Sequence, residues 1–158
     1  MNIRQFLEPS AVLADLRGRN KHDVLAELCE PVSRLHPALR QERLLATLLE
    51  REGLSSTGLE GGVAVPHGKL PGLPAIVGAF GRSLAGVEFD SLDGKPAHLL
   101  FVLFAPEAAG GEHLRVLARV SRILKSADFR DRLLAARDAA EIHRLITGED
   151  DRLSAPSG

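Results

Sequence analysis

Apolar positions near the start of the chain recur with helical spacing. Asn20 suits an N-cap, and Val24, Leu25, Leu28, Val32 and Leu35 follow at i, i+1, i+4, i+8 and i+11, which predicts an amphipathic helix. A second helix is expected to begin near Pro37 and to carry Leu44, Leu45, Leu48 and Leu49. It should stop in the Glu52-Gly53 region, where glycine supplies the usual exit. From Ser55 to Gly94 the chain is dense in glycine, and short β-prone runs replace the long helical periods. Val63-Ala64-Val65, Ala75-Ile76-Val77 and Val87-Glu88-Phe89 read as short strands, and Asp93-Gly94 as a turn. The unbroken apolar run from Leu99 to Phe104 predicts a central strand covered on both faces.

Helices return after Pro106 and the pair Gly110-Gly111. Leu114, Leu117, Ala118, Ser121 and Leu124 fit one helical face, and Asp128 can cap a further helix carrying Phe129, Leu133 and Leu134. Ala139 to Ile146 reads as the last helix. Helices at both ends with strands between imply an α/β fold, a single layered domain over residues 1–148 with a mixed central β-sheet flanked by helices. Residues 149–158 are expected to form a flexible C-terminal tail.

Composition narrows the possibilities. A chain of 158 residues with 44% hydrophobic and 26% charged residues has the make-up of a globular domain able to bury a real core. Net charge is −1 and the pI about 6.6, so no basic excess points to a nucleic-acid partner. No apolar run is long enough to cross a bilayer, and Met1-Asn2-Ile3-Arg4-Gln5-Phe6 lacks the apolar block of a signal peptide, so a cytoplasmic location is expected. The single cysteine, Cys29, lies in the first helical pattern and reads as a buried small hydrophobe.

Six histidines remain to be sorted. His22, His36 and His143 fall on helical segments among charged neighbours, and His98 opens the buried strand. His67 has a more constrained setting: it follows a strand and Pro66, which fixes its own backbone angle and holds Val65 extended. Gly68 removes the neighbouring side chain, so a phosphate or another backbone can approach. A neutral imidazole held there is a good nucleophile near pH 7. Taken alone, a Pro-His-Gly turn is an ordinary turn. His113 sits at the start of a helix, where free N–H groups and the dipole favour an anion. An ordinary first-turn residue would look the same. The stripe Arg115, Arg119, Arg122 reads as a solvated face.

Longer stretches give these residues a context. The segment Arg51-Glu52-Gly53-Leu54-Ser55-Ser56-Thr57-Gly58-Leu59, followed by Gly62-Val63-Ala64-Val65-Pro66-His67-Gly68-Lys69, resembles the mannitol/fructose-type IIA domains of the bacterial phosphotransferase system and their nitrogen-regulatory relatives. Gly86 to Pro96, Leu103-Phe104-Ala105-Pro106-Glu107 and His113-Leu114-Arg115-Val116-Leu117-Ala118 resemble further family segments in the same order. The resemblance runs from Phe6 to about Ile146. It implies the mannitol-type IIA fold, with His67 as the phosphorylated residue, His113 as a second active-site histidine and Arg51 as the cation that neutralises phosphoryl charge. A planar guanidinium suits that task; without the family match, Arg51 is equally a helix-end cation. Ser56 and Thr57 are candidate hydroxyl donors to the phosphate, with an ordinary loop role the equal alternative.

The resemblance also implies a chemistry without metal or organic cofactor, in which phosphate arrives from phospho-HPr or its nitrogen-branch paralogue and histidine acts as a covalent relay. Onward partners are regulatory target proteins or a IIB domain, with no direct insertion into a membrane. Phe89-Asp90 and Asp93-Gly94-Lys95-Pro96 look more like the regulatory branch than a sugar-specific IIA feeding transport. Two other classes stand against these: a binding module that has lost phosphotransfer, and a metal-dependent hydrolase using His67 and His113. The retained histidines and Arg51 argue against the first. The second lacks an accompanying cluster of carboxylates with ligand spacing.

Overall fold

The computed structural model describes residues 2–154. Five strands form one mixed sheet: β1 (Val12–Leu13), β2 (Val63–Ala64), β3 (His67–Leu70), β4 (Val77–Val87) and β5 (Ala97–Pro106). β4 and β5 pair antiparallel at the centre; β1 runs parallel to β4 on one side. β2 and β3 both run parallel to β5 on the other side, β2 against Leu99 and Leu100 and β3 against Leu103 to Pro106. Pro66 separates these two pieces of edge strand, a position where its missing N–H costs no ladder bond. Its carbonyl still accepts from the Leu103 amide at 3.0 Å.

Five helices cover the sheet: α1 (Lys21–Leu35), α2 (Gln41–Leu54), α3 (Gly110–Leu124), α4 (Ala127–Ala135) and α5 (Ala139–Ser154). α1 and α2 pack on each other and on β4 and β3, while α3 and α4 pack with α5, which reaches β1. The apolar run on β5 is buried from Leu99 to Ala105. Phe101 meets Phe80 edge-on at 5.8 Å between centroids, with Phe6 at 6.2 Å on a third side. Each fully buried side chain of this size contributes about 1.5–3 kcal/mol.

Several expectations are met, among them the Asn20 cap, whose side chain accepts from the Asp23 amide at 2.9 Å. Cys29 is fully buried, and burial pushes its thiol up to about 12. Others are corrected. α2 begins at Gln41, not near Pro37, and runs through Gly53 to Leu54. The runs at Ala75–Val77 and Val87–Phe89 are not separate strands: Val77 and Val87 begin and end the single strand β4. Glycines masked it, because Gly81 lies where a Cβ would come within 2.8 Å of Leu16 and Leu28. α4 is capped by Ser126, whose hydroxyl accepts from the Phe129 amide at 3.2 Å, so Asp128 lies inside the first turn.

α3 is rotated by one residue from the expected face. Leu114 is 69% exposed, and the inward stripe is His113, Val116, Val120 and Ile123, with Leu124, expected inward, buried beside it. The tail expected from residue 149 onward is helical through Ser154, with Asp150 buried where it accepts from the Ile3 amide and from Arg119. The rest of that tail, 155–158, lies outside the described residues. Arg119 is therefore half-buried in an ion pair, and the Arg115–Arg122 stripe is not uniformly solvated.

Candidate functional site

β3 runs parallel to the last part of β5, and α3 starts four residues after β5 ends, so His67 and His113 approach each other near the carboxyl end of the central strand. α2 packs on β3 and delivers Arg51 in its last turn. Alternation along β3 turns Gly68 and Leu70 inward and leaves His67 and Lys69 on the outer side. The result is an open cavity of about 350 Å³ lined by Thr47, Glu50, Arg51, Leu54, His67, Gly68, Lys69 and His113. A larger cavity of about 620 Å³, lined in part by Leu59, Asp93, Lys125 and Arg130, holds no histidine or cysteine to act as a nucleophile.

The two imidazoles stand edge to face, 5.4 Å between centroids and 77° between planes. Nδ1 of His67 lies 2.7 Å from the Val65 carbonyl oxygen. That oxygen can only accept, so Nδ1 carries the ring proton and Nε2 holds the free lone pair. Nε2 of His113 is buried and has no partner among the described residues. A polar atom withheld from water and left unbonded costs about 1–3 kcal/mol, which a ligand oxygen at that point would recover. Burial lowers the pKa of His67 below its ordinary 6.5; the Val65 hydrogen bond opposes this, the charge of Arg51 adds to it, and that of Glu52 opposes it. Burial also lowers His113, followed by the nearby charges of His67 and Lys69. Both shifts favour the neutral rings.

Arg51 uses Nη1 to hold the Ser55 carbonyl at 3.0 Å and the Ser55 hydroxyl at 3.3 Å. This contact closes the C-terminus of α2 and keeps the guanidinium at the cavity wall. The structure thus brings His67, His113 and Arg51 to one cavity. It does not bring Ser56 and Thr57 there. The Ser56 hydroxyl donates to the Phe89 carbonyl, and the buried Thr57 hydroxyl donates to the Glu52 carboxylate. Both hydroxyls serve the loop, which is the alternative to a phosphate-donor role. Gly68 does line the cavity, but the Cβ it lacks would sit 2.5 Å from Thr47 of α2, so its first need is helix-on-strand packing.

Lys69 was not singled out from the sequence. Its signal was available in the strand period, since it lies two residues from His67 on the same side of β3. Among the described residues there is no group of three or more His, Cys, Asp or Glu side chains that could hold a metal ion. No described helix is long and apolar enough to cross a membrane.

A neutral imidazole, a second ring with an unbonded nitrogen and two cations around one small cavity define a carrier for an anionic group, built on a mixed α/β sheet. Residues 5–149 match the family model described as "Phosphoenolpyruvate-dependent sugar phosphotransferase system, EIIA 2", and the chain belongs to that family of phosphocarriers. It is 40% identical over 146 residues to a nitrogen regulatory protein of Bradyrhizobium diazoefficiens, covering 92% of this chain and 95% of that one. The crystal structure of the nitrogen regulatory protein IIA-Ntr from Neisseria meningitidis superposes with a TM-score of 0.86 at 35% identity, covering 92% of this chain and 99% of that one. A fructose-specific EIIABC component of Bacillus subtilis is 35% identical over 152 residues, which is 95% of this chain and 24% of that protein.

Proposed function

We propose that the chain takes a phosphoryl group onto Nε2 of His67 from phospho-HPr or its nitrogen-branch paralogue, and that its phosphorylation state is a regulatory signal. The observation that carries the reading is the His67–Val65 hydrogen bond, which leaves Nε2 unprotonated in a cavity shared with His113, Arg51 and Lys69. The lone pair of Nε2 forms the new N–P bond while the donor's N–P bond breaks and its electron pair returns to the donor imidazole. No proton has to leave His67: the Nδ1 proton stays on its hydrogen bond to Val65, and the positive charge of the phosphorylated ring spreads between the two nitrogens. Charge on the transferring oxygens falls to the guanidinium of Arg51, the ammonium of Lys69 and an N–H of His113. Both histidines and the arginine are retained, which speaks against a module that has lost transfer. A cytoplasmic location goes with this reading.

Regulation is favoured by the relatives, since the nitrogen regulatory protein of Bradyrhizobium diazoefficiens matches along nearly its whole length. The similarity to a fructose-specific component supports a second reading, in which phosphate passes on to a IIB domain. Incubation with phosphoenolpyruvate, enzyme I and HPr, with the phosphate mapped by mass spectrometry, tests the acceptor. One acid-labile, base-stable phosphate on His67 is expected, and none on the His67→Ala variant. Stoichiometric labelling of that variant would remove His67 from the role. A capture experiment with both forms separates the branches: a non-transport partner that distinguishes them supports regulation, whereas phosphate flowing only to a sugar IIB protein supports transport.

A further inference from the structure

Beside the cavity, and outside it, lies a buried ionic cluster that the phosphoryl site does not use directly. Glu52 follows Arg51 in the last turn of α2, and its side chain is only 4% exposed. A carboxylate so far from water needs partners, and it has them. Its oxygens accept from the Thr57 amide at 3.2 and 3.3 Å, from the Thr57 hydroxyl, and from Lys21 Nζ at 3.1 Å. Lys21 opens α1; its ammonium also reaches Asp90 at 3.4 Å and lies 4.6 Å from the centre of the Phe89 ring. Asp90 stands in the left-handed region at φ 52°, a conformation uncommon outside glycine and consistent with a residue held in place by its surroundings.

The hydrogen bonds continue from this cluster to the reacting ring. Thr57, held by Glu52 through its amide and hydroxyl, offers its carbonyl to the Val65 amide at 3.1 Å. Val65 in turn offers its own carbonyl to Nδ1 of His67. The same loop presents Ser55, whose carbonyl and hydroxyl hold Arg51. One carboxylate thus stands at the root of two branches, one ending on the nucleophile and one on the cation beside it.

We propose that Glu52, neutralised by Lys21, is a positioning residue for phosphoryl transfer: through Thr57 and Val65 it fixes the orientation and tautomer of His67, and through the same loop the place of Arg51. The role rests on His67 being the acceptor. Glu52 touches neither phosphate nor donor. Its contribution is to stop the 55–65 segment from shifting, because a displacement of about 1 Å at a transfer site can cost as much as a hundredfold in rate. An ordinary surface ion pair at a helix end would carry no such duty.

The test reads the ring itself. Two-bond ¹H–¹⁵N correlation spectra of the unphosphorylated protein report the His67 tautomer, assigned by the signals missing from His67→Ala. Wild-type protein is expected to show the Nδ1–H form alone. Glu52→Ala should show a mixture of tautomers, and at saturating phospho-HPr its transfer should be about tenfold slower with KM unchanged. Glu52→Gln keeps an oxygen for Thr57 and should restore the Nδ1–H form and most of the rate. A folded Glu52→Ala protein with the wild-type tautomer and rate overturns the proposal. If that variant does not fold, Thr57→Val decides, with mixed tautomers and at least threefold slower transfer expected, and wild-type behaviour overturning the role. Phosphate mapped to a residue other than His67 sinks the acceptor reading, and this role with it, whatever the tautomer spectra show.

Discussion

Two arginines on opposite sides of the sheet's central strands are built in opposite ways. Arg82, on β4, is 4% exposed, and its guanidinium donates to the carbonyls of Ala14, Leu133, Leu134 and Ala136 at 2.7–3.3 Å. Those last three carbonyls lie at the C-terminus of α4, so the charge caps the helix and ties it to the sheet. Arg51 is half-buried and commits only Nη1, to Ser55. The histidines divide differently, since His67, like His98 and His143, spends one ring nitrogen on a carbonyl. His98 and His143 each spend a ring nitrogen on a carbonyl, Ser83 and Leu7 respectively, and line no part of the cavity. His113 keeps a buried nitrogen with no partner among the described residues. Arg82 is saturated by the fold, while Arg51 and His113, at the cavity, keep polar atoms to spare among the described residues.

The contrast is broken most directly by removing the unsaturated groups. His113→Ala and Arg51→Ala should fold like the parent and accept phosphate on the order of a hundredfold more slowly, the usual loss for one positioned donor to a transition state. Rapid-quench measurement from separately phosphorylated HPr gives the rates. Unchanged rates in both variants would mean that neither group meets the phosphoryl oxygens. Arg82→Met should do the reverse. It keeps the apolar stem but strands four carbonyls, so unfolding free energy in denaturant should fall by about 3 kcal/mol. The folded fraction should still accept phosphate at close to the parent rate. A large loss of rate with stability intact would place Arg82 in the site and erase the distinction between the two arginines.

How much of this was legible depended on whether the relevant partner lies nearby in sequence. The continuous apolar run of β5 and the cap at Asn20 are local features, and both were read correctly. β4 was not, because Gly78 and Gly81 break the apolar pattern for the sake of close neighbours on Val102, Leu16 and Leu28. The phase of α3 was met only at Leu124, because its inward face begins with a histidine and a count of leucines slides one residue along. Asp150 read as a polar tail residue, since only the fold brings it to Ile3, 147 positions away. At the site, the run from Arg51 to Lys69 and the segment at His113 pointed to side chains that the fold brings to one cavity. The destinations of the Ser56 and Thr57 hydroxyls could not be read, because their acceptors are chosen by how the loop docks.

The smallest expected effect concerns pH, and it sharpens the comparison between buried and surface imidazoles. Burial first, then the charge of Arg51, hold the folded-state pKa of His67 below the ordinary 6.5, although its hydrogen bond to Val65 opposes them. In the proposed transfer the attacking species is the neutral ring. Acceptance of phosphate should therefore fall to half only at a pH below 6.5, where a fully exposed histidine would already be half protonated. The same shift sets the sign of the stability effect. As pH falls below 6.5 the unfolded chain takes up the proton first, so stability present above 6.5 is lost between that value and the lower folded-state pKa. His113, lowered by its own burial and by His67 and Lys69, adds to the loss in the same window. Denaturant midpoints at pH 7.5 and 5.5 should accordingly differ less in His67→Ala than in the parent, because the variant has lost one of the two titrating rings. An acceptance rate already halved at pH 6.5, or an undiminished pH difference in the variant, would show that His67 titrates as if exposed. The neutral-nucleophile argument would then need another source.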